Sequence, residues 1–204
     1  MATNLAQALQ LMLVTDDTLL GGRDLLALIR AAEQGGITSV QLRMKHVTAA
    51  ELARLGRAVL QAVRIPVLVN DRVDVALAIG AHGVHLGPDD VPVAMARRIA
   101  PPGFIIGASV GLEAELENGA LADYWGVGPW ALTGTKRDAG SALGAAGFAR
   151  LRGYAGARPC VAIGGIRPDD VAAALAAGAT GVAVVSGILG SDDVVAATRR
   201  YRAL

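Results

Sequence analysis

The sequence predicts a single-domain α/β protein, a (β/α)8 barrel spanning residues 1–204. Three observations lead there. Eight short apolar strand patterns alternate with helical patterns along the chain, and such alternation builds a parallel sheet with right-handed crossovers. A weak repeat, Gly36-Ile37-Thr38-Ser39-Val40, Gly80-Ala81-His82-Gly83-Val84 and Gly178-Ala179-Thr180-Gly181-Val182, precedes strands two, four and eight, with a looser copy at Gly119-Ala120 before strand six. The repeating unit is therefore a pair of strand–helix modules, which a closed barrel explains better than an open sheet. The length of 204 residues lies near the lower limit for that fold.

The elements follow in order. Asn4 caps a short helix through Leu9, and Leu11–Val14 is the first strand, ending at Thr15-Asp16-Asp17. Asp24–Gln34 has Leu25, Leu28 and Ile29 on one helical face and stops at Gly35-Gly36. Ser39–Arg43 is the second strand. Thr48–Val63 is a helix, with Thr48 and Glu51 at capping-box spacing. Pro66–Asn70, Gly83–Leu86, Phe104–Ser109 and Tyr124–Val127 are strands three to six. The helices after them are Val73–Ile79, Pro92–Ile99, Leu112–Asn118 and, beyond a long loop, Ala145–Leu151. Cys160–Ile163 and Gly181–Val185 are the last strands, with helices Pro168–Ala177 and Asp193–Tyr201.

Composition narrows the function. The net charge of +1 implies no general attraction to nucleic acid or membrane, so any anion site must come from local charge placement. No apolar run approaches the roughly 18 residues of a membrane span. The single Cys160 excludes an internal disulfide and fits a reducing compartment. No secretion signal is legible at the N-terminus, and a cytoplasmic location is expected. Oligomeric state is not legible.

Active residues of such barrels lie at the C-terminal strand ends and the loops beyond. Alternation along strand two turns Val40, Leu42 and Met44 toward the helices, and Gln41, Arg43 and Lys45 toward the barrel mouth. Two inward cations are costly unless an anion meets them, either a ligand or an ion-pair cluster with Asp71 and Asp90. Asn70-Asp71 and Gly87-Pro88-Asp89-Asp90 end strands three and four. Two carboxylates there suit Mg2+ held between protein and a diphosphate, the alternative being helix N-caps. Gly107-Ala108-Ser109-Val110-Gly111 has the spacing of a nucleophile elbow, but all three histidines precede Ser109, whereas that architecture places its His after the Ser. Ser109 is therefore read as a hydrogen-bond donor to ligand and His85 as a satisfied core residue. Gly164-Gly165 and Val185-Ser186-Gly187 end strands seven and eight, where barrels bind phosphate through backbone amides, unless the glycines merely turn the chain. Between these regions, Gly126–Gly140 carries Thr133, Gly134, Thr135, Lys136 and Arg137. It is read as a loop closing over an anion, or else a surface excursion.

Gln41-Leu42-Arg43-Met44-Lys45, Asn70-Asp71-Arg72-Val73-Asp74, Gly83-Val84-His85-Leu86-Gly87, Gly126-Val127-Gly128-Pro129 with Thr133-Gly134-Thr135-Lys136, Ala162-Ile163-Gly164-Gly165-Ile166 and Val184-Val185-Ser186 together resemble the thiamine phosphate synthase family over nearly the whole chain. The resemblance implies a transferase of thiamine biosynthesis. It couples 4-amino-2-methyl-5-hydroxymethylpyrimidine diphosphate to a thiazole phosphate, with Mg2+ and by a dissociative loss of diphosphate. Its small-molecule partners would be these two substrates. Carried onto this chain, it puts Gln41, Leu42, Arg43, Met44, Lys45, Asn70, Ser109 and Lys136 on the pyrimidine diphosphate. Asp71 and Asp90 fall on Mg2+, and Thr133, Gly134, Thr135, Gly165, Val185 and Ser186 on the thiazole phosphate. Arg43, Lys45, Ser109 and Lys136 would be catalytic. Four positions depart from the family pattern: Met44 where an acidic residue is common, Gly111 where a His often follows Ser-Val, and Trp130-Ala131 where an aliphatic or Phe-Pro stretch is more usual. A thiazole tautomerase of the same superfamily would need that His. A non-catalytic barrel binding a phosphate ligand is the other alternative.

Overall fold

The computed structural model describes residues 4–132 and 141–202. Its strands are β1 (Leu11–Val14), β2 (Ser39–Leu42), β3 (Val67–Asn70), β4 (Gly83–Leu86), β5 (Ile105–Val110), β6 (Tyr124–Val127), β7 (Cys160–Ile163) and β8 (Gly181–Val184). They run parallel in sequence order, and β8 pairs back onto β1 to close the barrel. The helices are α1 (Leu5–Ala8), α2 (Leu25–Gly35), α3 (Ala49–Ala62), α4 (Val73–Ile79), α5 (Val93–Ile99), α6 (Leu116–Gly119), α7 (Gly144–Tyr154), α8 (Val171–Ala176), α9 (Ser186–Leu189) and α10 (Val194–Arg200).

Two apolar layers hold these elements. The larger packs the outer strand faces against the helices and includes Val40, Leu42, Val69, Val84, Ile106 and Val127 with Ile29, Leu52, Phe148 and Leu189. The smaller fills the barrel interior with Met12, Val14, Leu68, Ile105, Tyr124, Val161 and Ala183, and Leu9 beside α1 plugs its lower end. Period-two alternation sorts each strand between the layers, so the pattern read from sequence also determines which side chains reach the mouth.

Asp24 caps α2 by accepting from the amides of Leu26 at 2.7 Å and Ala27 at 3.1 Å. Thr48 caps α3 through the Glu51 amide at 3.2 Å. The expected reciprocal half of that box does not form, because the Glu51 carboxylate turns to Arg54 at 2.6 and 2.9 Å. The segments read as helices at Leu112–Asn118 and Pro168–Ala177 each open with a 3-10 turn, Glu113–Glu115 and Pro168–Asp170. The helix α9, not expected from sequence, begins where strand eight was taken to end.

The repeat has a physical cause. Gly36, Gly80 and Gly178 adopt φ of 109°, 71° and 95°, the left-handed conformation that ends a helix without a Cβ penalty. At the looser copy, Gly119 serves another purpose. A Cβ there would lie 2.6 Å from the Trp125 indole nitrogen, which donates to the Gly119 carbonyl at 2.9 Å.

At the opposite end from the mouth, His82 Nδ1 accepts the Val67 amide at 3.1 Å, a bond only the unprotonated nitrogen can make. Desolvation of the covered side of its ring holds the His82 pKa below its ordinary value. The unfolded chain therefore binds the proton more readily, and stability should be lost as pH falls through about 6.5. Melting curves should show a smaller loss between about pH 7.5 and pH 5.5 in His82→Asn, whose amide oxygen accepts the same bond at any pH.

Candidate active site

The mouth is built on the ends of β1 to β5. Thr15, just beyond β1, extends the pairing past the last strand residues, because its Oγ1 accepts from the Arg43 amide at 2.9 Å and donates to the Arg43 carbonyl at 3.1 Å. That brace orients the Arg43 side chain, whose Nη1 meets Asp16 Oδ2 at 2.5 Å. Asp16 is 3% exposed and also accepts the amide and hydroxyl of Thr18. Asp17 accepts the amides of Lys45 at 3.1 Å and His46 at 2.9 Å, fixing the turn after β2. Burial works to raise the Asp17 pKa, but the bonds from His46 and Lys45 outweigh it and hold the carboxyl below its usual value.

Gln41, Arg43 and Lys45 therefore stand on the mouth side, as the alternation requires. Leu42 is fully buried in the outer layer and Met44 packs against that layer, with its sulfur 3.8 Å from Thr15 Oγ1. Their side chains do not face the mouth, so only their backbone is available to a ligand there. The alternative reading, an ion-pair cluster of both cations with Asp71 and Asp90, forms only in part. Lys45 Nζ lies 3.6 Å from Asp71 Oδ2, but Arg43 takes Asp16 instead. Sequence reasoning passed over Asp16 and Asp17, although Thr15-Asp16-Asp17 ends strand one, where the strand-end rule applied to the later strands would have found them.

Neither Asp71 nor Asp90 is a helix cap. Arg72 precedes α4 and Pro92 precedes α5. Asp71 is the only described non-glycine residue at positive φ, 65°, and its amide donates to the His85 carbonyl at 2.8 Å. Such backbone strain persists where the surroundings over-determine it. Asp90 closes the turn after β4 by accepting the Gly87 amide at 2.6 Å. Burial and the adjacent Asp90 side chain push the Asp71 carboxyl up to about 6. This pair of carboxylates, partly shielded from water and crowding each other, is short of positive charge and suits a hard divalent cation. Among the described residues no group of three or more candidate ligand side chains gathers. Mg2+ needs only one or two carboxylates when phosphate oxygens and water complete its octahedron. Asn70 ends β3 in register with His85 on β4. Ser109 is held by its Oγ at 3.0 Å from His85 Nε2.

Across the mouth, Gly164 and Gly165 follow β7 with φ of 92° and 69°. A Cβ on Gly165 would sit 2.9 Å from the Ala131 carbonyl oxygen and 3.0 Å from that of Leu132. The glycines therefore let the segment after β6 close onto β7, where the amides of Trp130 and Ala131 donate to the carbonyls of Ile163 at 2.8 Å and Gly164 at 2.9 Å. Trp130 is buried edge-on against Phe148, their centroids 6.0 Å apart. Leu143 and Gly144 donate to the carbonyls of Pro129 and Trp130 at 2.8 and 3.0 Å, pinning the two sides of the long loop into a neck. Thr133, Gly134, Thr135 and Lys136 lie outside the described residues.

Val185 and Ser186 begin α9, which puts them at the mouth beside β8. Gly187, read as part of a phosphate-binding strand end or else as a turn glycine, is the second residue of that helix, where an added Cβ would strike the Tyr201 hydroxyl. Arg23 secures the other end of α9 by donating to the carbonyls of Leu189 and Ser191, and it also donates to those of Leu19 and Leu20. A cation against helix C-terminal carbonyls is favourable, and this one ties the β1 loop to the helix after β8.

Residues 11–188 match the family described as "Thiamine monophosphate synthase". The chain is 47% identical over 201 residues to "Thiamine-phosphate synthase" of Azorhizobium caulinodans, covering 96% of this chain and 94% of that one. It is 46% identical over 187 residues to the protein of the same name from Moorella thermoacetica, covering 89% of each. Among solved structures it is similar to thiamine phosphate pyrophosphorylase from Pyrococcus furiosus, with a TM-score of 0.85 and 38% identity over 98% of this chain and 96% of that one.

Proposed function

As the chain belongs to the thiamine monophosphate synthase family, we propose that its mouth binds two anionic substrates side by side, a pyrimidine diphosphate over β2 to β5 and a thiazole phosphate over β7 and β8. It is a transferase that forms thiamine phosphate. The observation that carries the diphosphate site is the convergence of Lys45 on Asp71, with Asp90 alongside, at adjacent strand ends. Cations and metal-binding carboxylates meeting there are what a departing diphosphate requires. The proposed place of reaction is the cytoplasm, where a free buried thiol such as Cys160 is the rule.

In this reading Arg43 and Lys45 orient and neutralise the diphosphate, while Asn70 and Ser109 hydrogen-bond the pyrimidine substrate. Asp71 and Asp90 would hold Mg2+, which when bound supplies positive charge to the leaving oxygens. The bond between the pyrimidine methylene carbon and the diphosphate oxygen breaks with its electron pair going to the diphosphate. The thiazole nitrogen lone pair forms the new carbon–nitrogen bond. No protein nucleophile is needed; orientation and charge stabilisation carry the reaction. Gly165, Val185 and Ser186 would hold the thiazole phosphate. Thr133, Gly134 and Thr135 on that phosphate, and Lys136 on the diphosphate, are proposed on sequence resemblance. The tautomerase alternative needs a His at position 111, and there even a Cβ would lie 2.6 Å from the Gly128 carbonyl oxygen.

The test is diphosphate release with each substrate and Mg2+ omitted in turn. Release is expected only with all three present, and release without thiazole phosphate, or none at all from folded enzyme, overturns the reading. Gly165→Ala strains a left-handed residue and presses on the 131–132 carbonyls. It should raise KM for the thiazole phosphate by about tenfold and leave KM for the pyrimidine diphosphate within about twofold, measured in the same assay.

A further inference from the structure

Beneath the mouth, four side chains from four strands join in one hydrogen-bonded column through the apolar barrel interior. The Tyr124 hydroxyl on β6 lies 2.9 Å from His85 Nδ1 on β4 and against the side chain of Gln41 on β2, whose Nε2 also meets Met12 Sδ at 4.0 Å. His85 Nε2 then lies 3.0 Å from Ser109 Oγ on β5. Gln41, His85 and Tyr124 are 3%, 6% and 1% exposed. The surroundings are Met12, Val14, Leu68, Ile105, Val161 and Ala183, an apolar lining in which these polar groups gain by meeting one another. Space for the two rings exists only because two neighbours lack side chains. A Cβ on Gly107 would strike the Tyr124 ring, and one on Gly126 would come within 3.0 Å of His85 Cε1. A core of Leu and Phe would fill this volume without the desolvation cost of four polar groups.

The chemistry of the column couples its ends. A neutral imidazole has one donor and one acceptor, and a phenol has one hydrogen. If His85 Nε2 donates to Ser109, then Nδ1 accepts the Tyr124 hydrogen and the Tyr124 oxygen accepts a Gln41 N–H. Ser109 keeps its hydrogen for a ligand and Gln41 keeps its carbonyl oxygen. The other His85 tautomer turns both of its bonds round, which leaves Ser109 an acceptor and frees the Tyr124 hydrogen for the Gln41 carbonyl oxygen, so that Gln41 keeps its N–H groups as donors. We propose that the Gln41–Tyr124–His85–Ser109 column is a relay that gives its two substrate-facing ends opposite donor and acceptor character, making Tyr124 and His85 positioning residues for the aminopyrimidine diphosphate. This inference rests on the proposed assignment of Gln41 and Ser109 to that substrate.

The experiment is a cycle of Tyr124→Phe, Ser109→Ala and the double variant, with KM and kcat measured for each substrate and melting temperature recorded. Tyr124→Phe keeps the ring and removes only the relay atom. It is expected to raise KM for the pyrimidine diphosphate about tenfold, leave KM for the thiazole phosphate within about twofold and hold the melting temperature within a few degrees. The double variant should lose clearly less than the product of the two single losses, because with Ser109 gone the relay has only Gln41 left to orient. His85→Gln, which keeps a donor and an acceptor, should retain more of the pyrimidine affinity than His85→Leu. Effects of Tyr124→Phe and Ser109→Ala that simply multiply, or a pyrimidine KM unchanged in Tyr124→Phe, overturn the inference alone. A wild-type enzyme that binds and converts neither substrate overturns the proposed function with it.

Discussion

Asp71→Asn should lower Mg2+-dependent diphosphate release by at least about a hundredfold and leave the melting temperature at neutral pH equal to or above that of the wild type. The two effects separate because the carboxylate is a poor structural element. Its pKa, raised to about 6 by burial and the neighbouring Asp90, exceeds that of the unfolded chain. Folding therefore favours the protonated form. The ionised carboxylate costs stability above about pH 6, and the cost disappears as pH falls below the unfolded value near 3.9. Asparagine is neutral throughout, so the stability gain in Asp71→Asn should shrink on acidification. Thermal melts from about pH 4 to pH 8, beside turnover measured with Mg2+ titrated, decide the matter. Parallel loss of stability and turnover would make Asp71 a structural residue and remove the metal proposal.

Arg43→Ala carries the other large effect, and it should damage both properties. Asp16 is buried against the guanidinium with the hydroxyl and amide of Thr18 as its remaining partners. Removing Arg43 strands that charge, at a cost of about 2–3 kcal/mol, below the usual range for buried pairs because Thr18 still supports the carboxylate. For a chain of this size that corresponds to a melting temperature lower by roughly 5–10 °C. Turnover should fall by about 10²–10³, the typical price of one group that stabilises developing negative charge. The pair Asp16→Asn with Arg43→Ala discriminates the roles. The double variant should recover most of the melting temperature and none of the turnover, since the stranded charge is gone while the diphosphate still lacks its cation. Recovery of turnover would assign Arg43 to Asp16 alone.

Much of the candidate site was legible because the strand end is a fixed address in this fold. Gln41, Arg43, Lys45, Asn70, Asp71, Asp90 and Ser109 could be found by alternation and by adjacency of consecutive strands, two rules that operate within a few residues. The pairing of Asp16 with Arg43 stayed hidden because the two are 27 residues apart, and α2 and β2 between them say nothing of which carboxylate a guanidinium will choose. The need for a glycine at 187 was not legible, because glycine after a strand suits a phosphate turn and a helix contact equally well, and the Tyr201 hydroxyl lying against it comes from a distant helix.

By itself, then, the sequence determined the barrel, the inward faces of its strands and the kinds of groups at the mouth. Those properties depend on local periodicity, and helix caps and strand alternation act over short stretches of chain. The tertiary structure alone decided the pairings: Arg43 with Asp16, Lys45 with Asp71, and the column from Gln41 through Tyr124 and His85 to Ser109. Closure brings β2, β4, β5 and β6 around one interior, and the glycines at 107 and 126 open the space in which two rings meet. Contacts of that kind arise from the shape left between strands, which no period along the chain encodes.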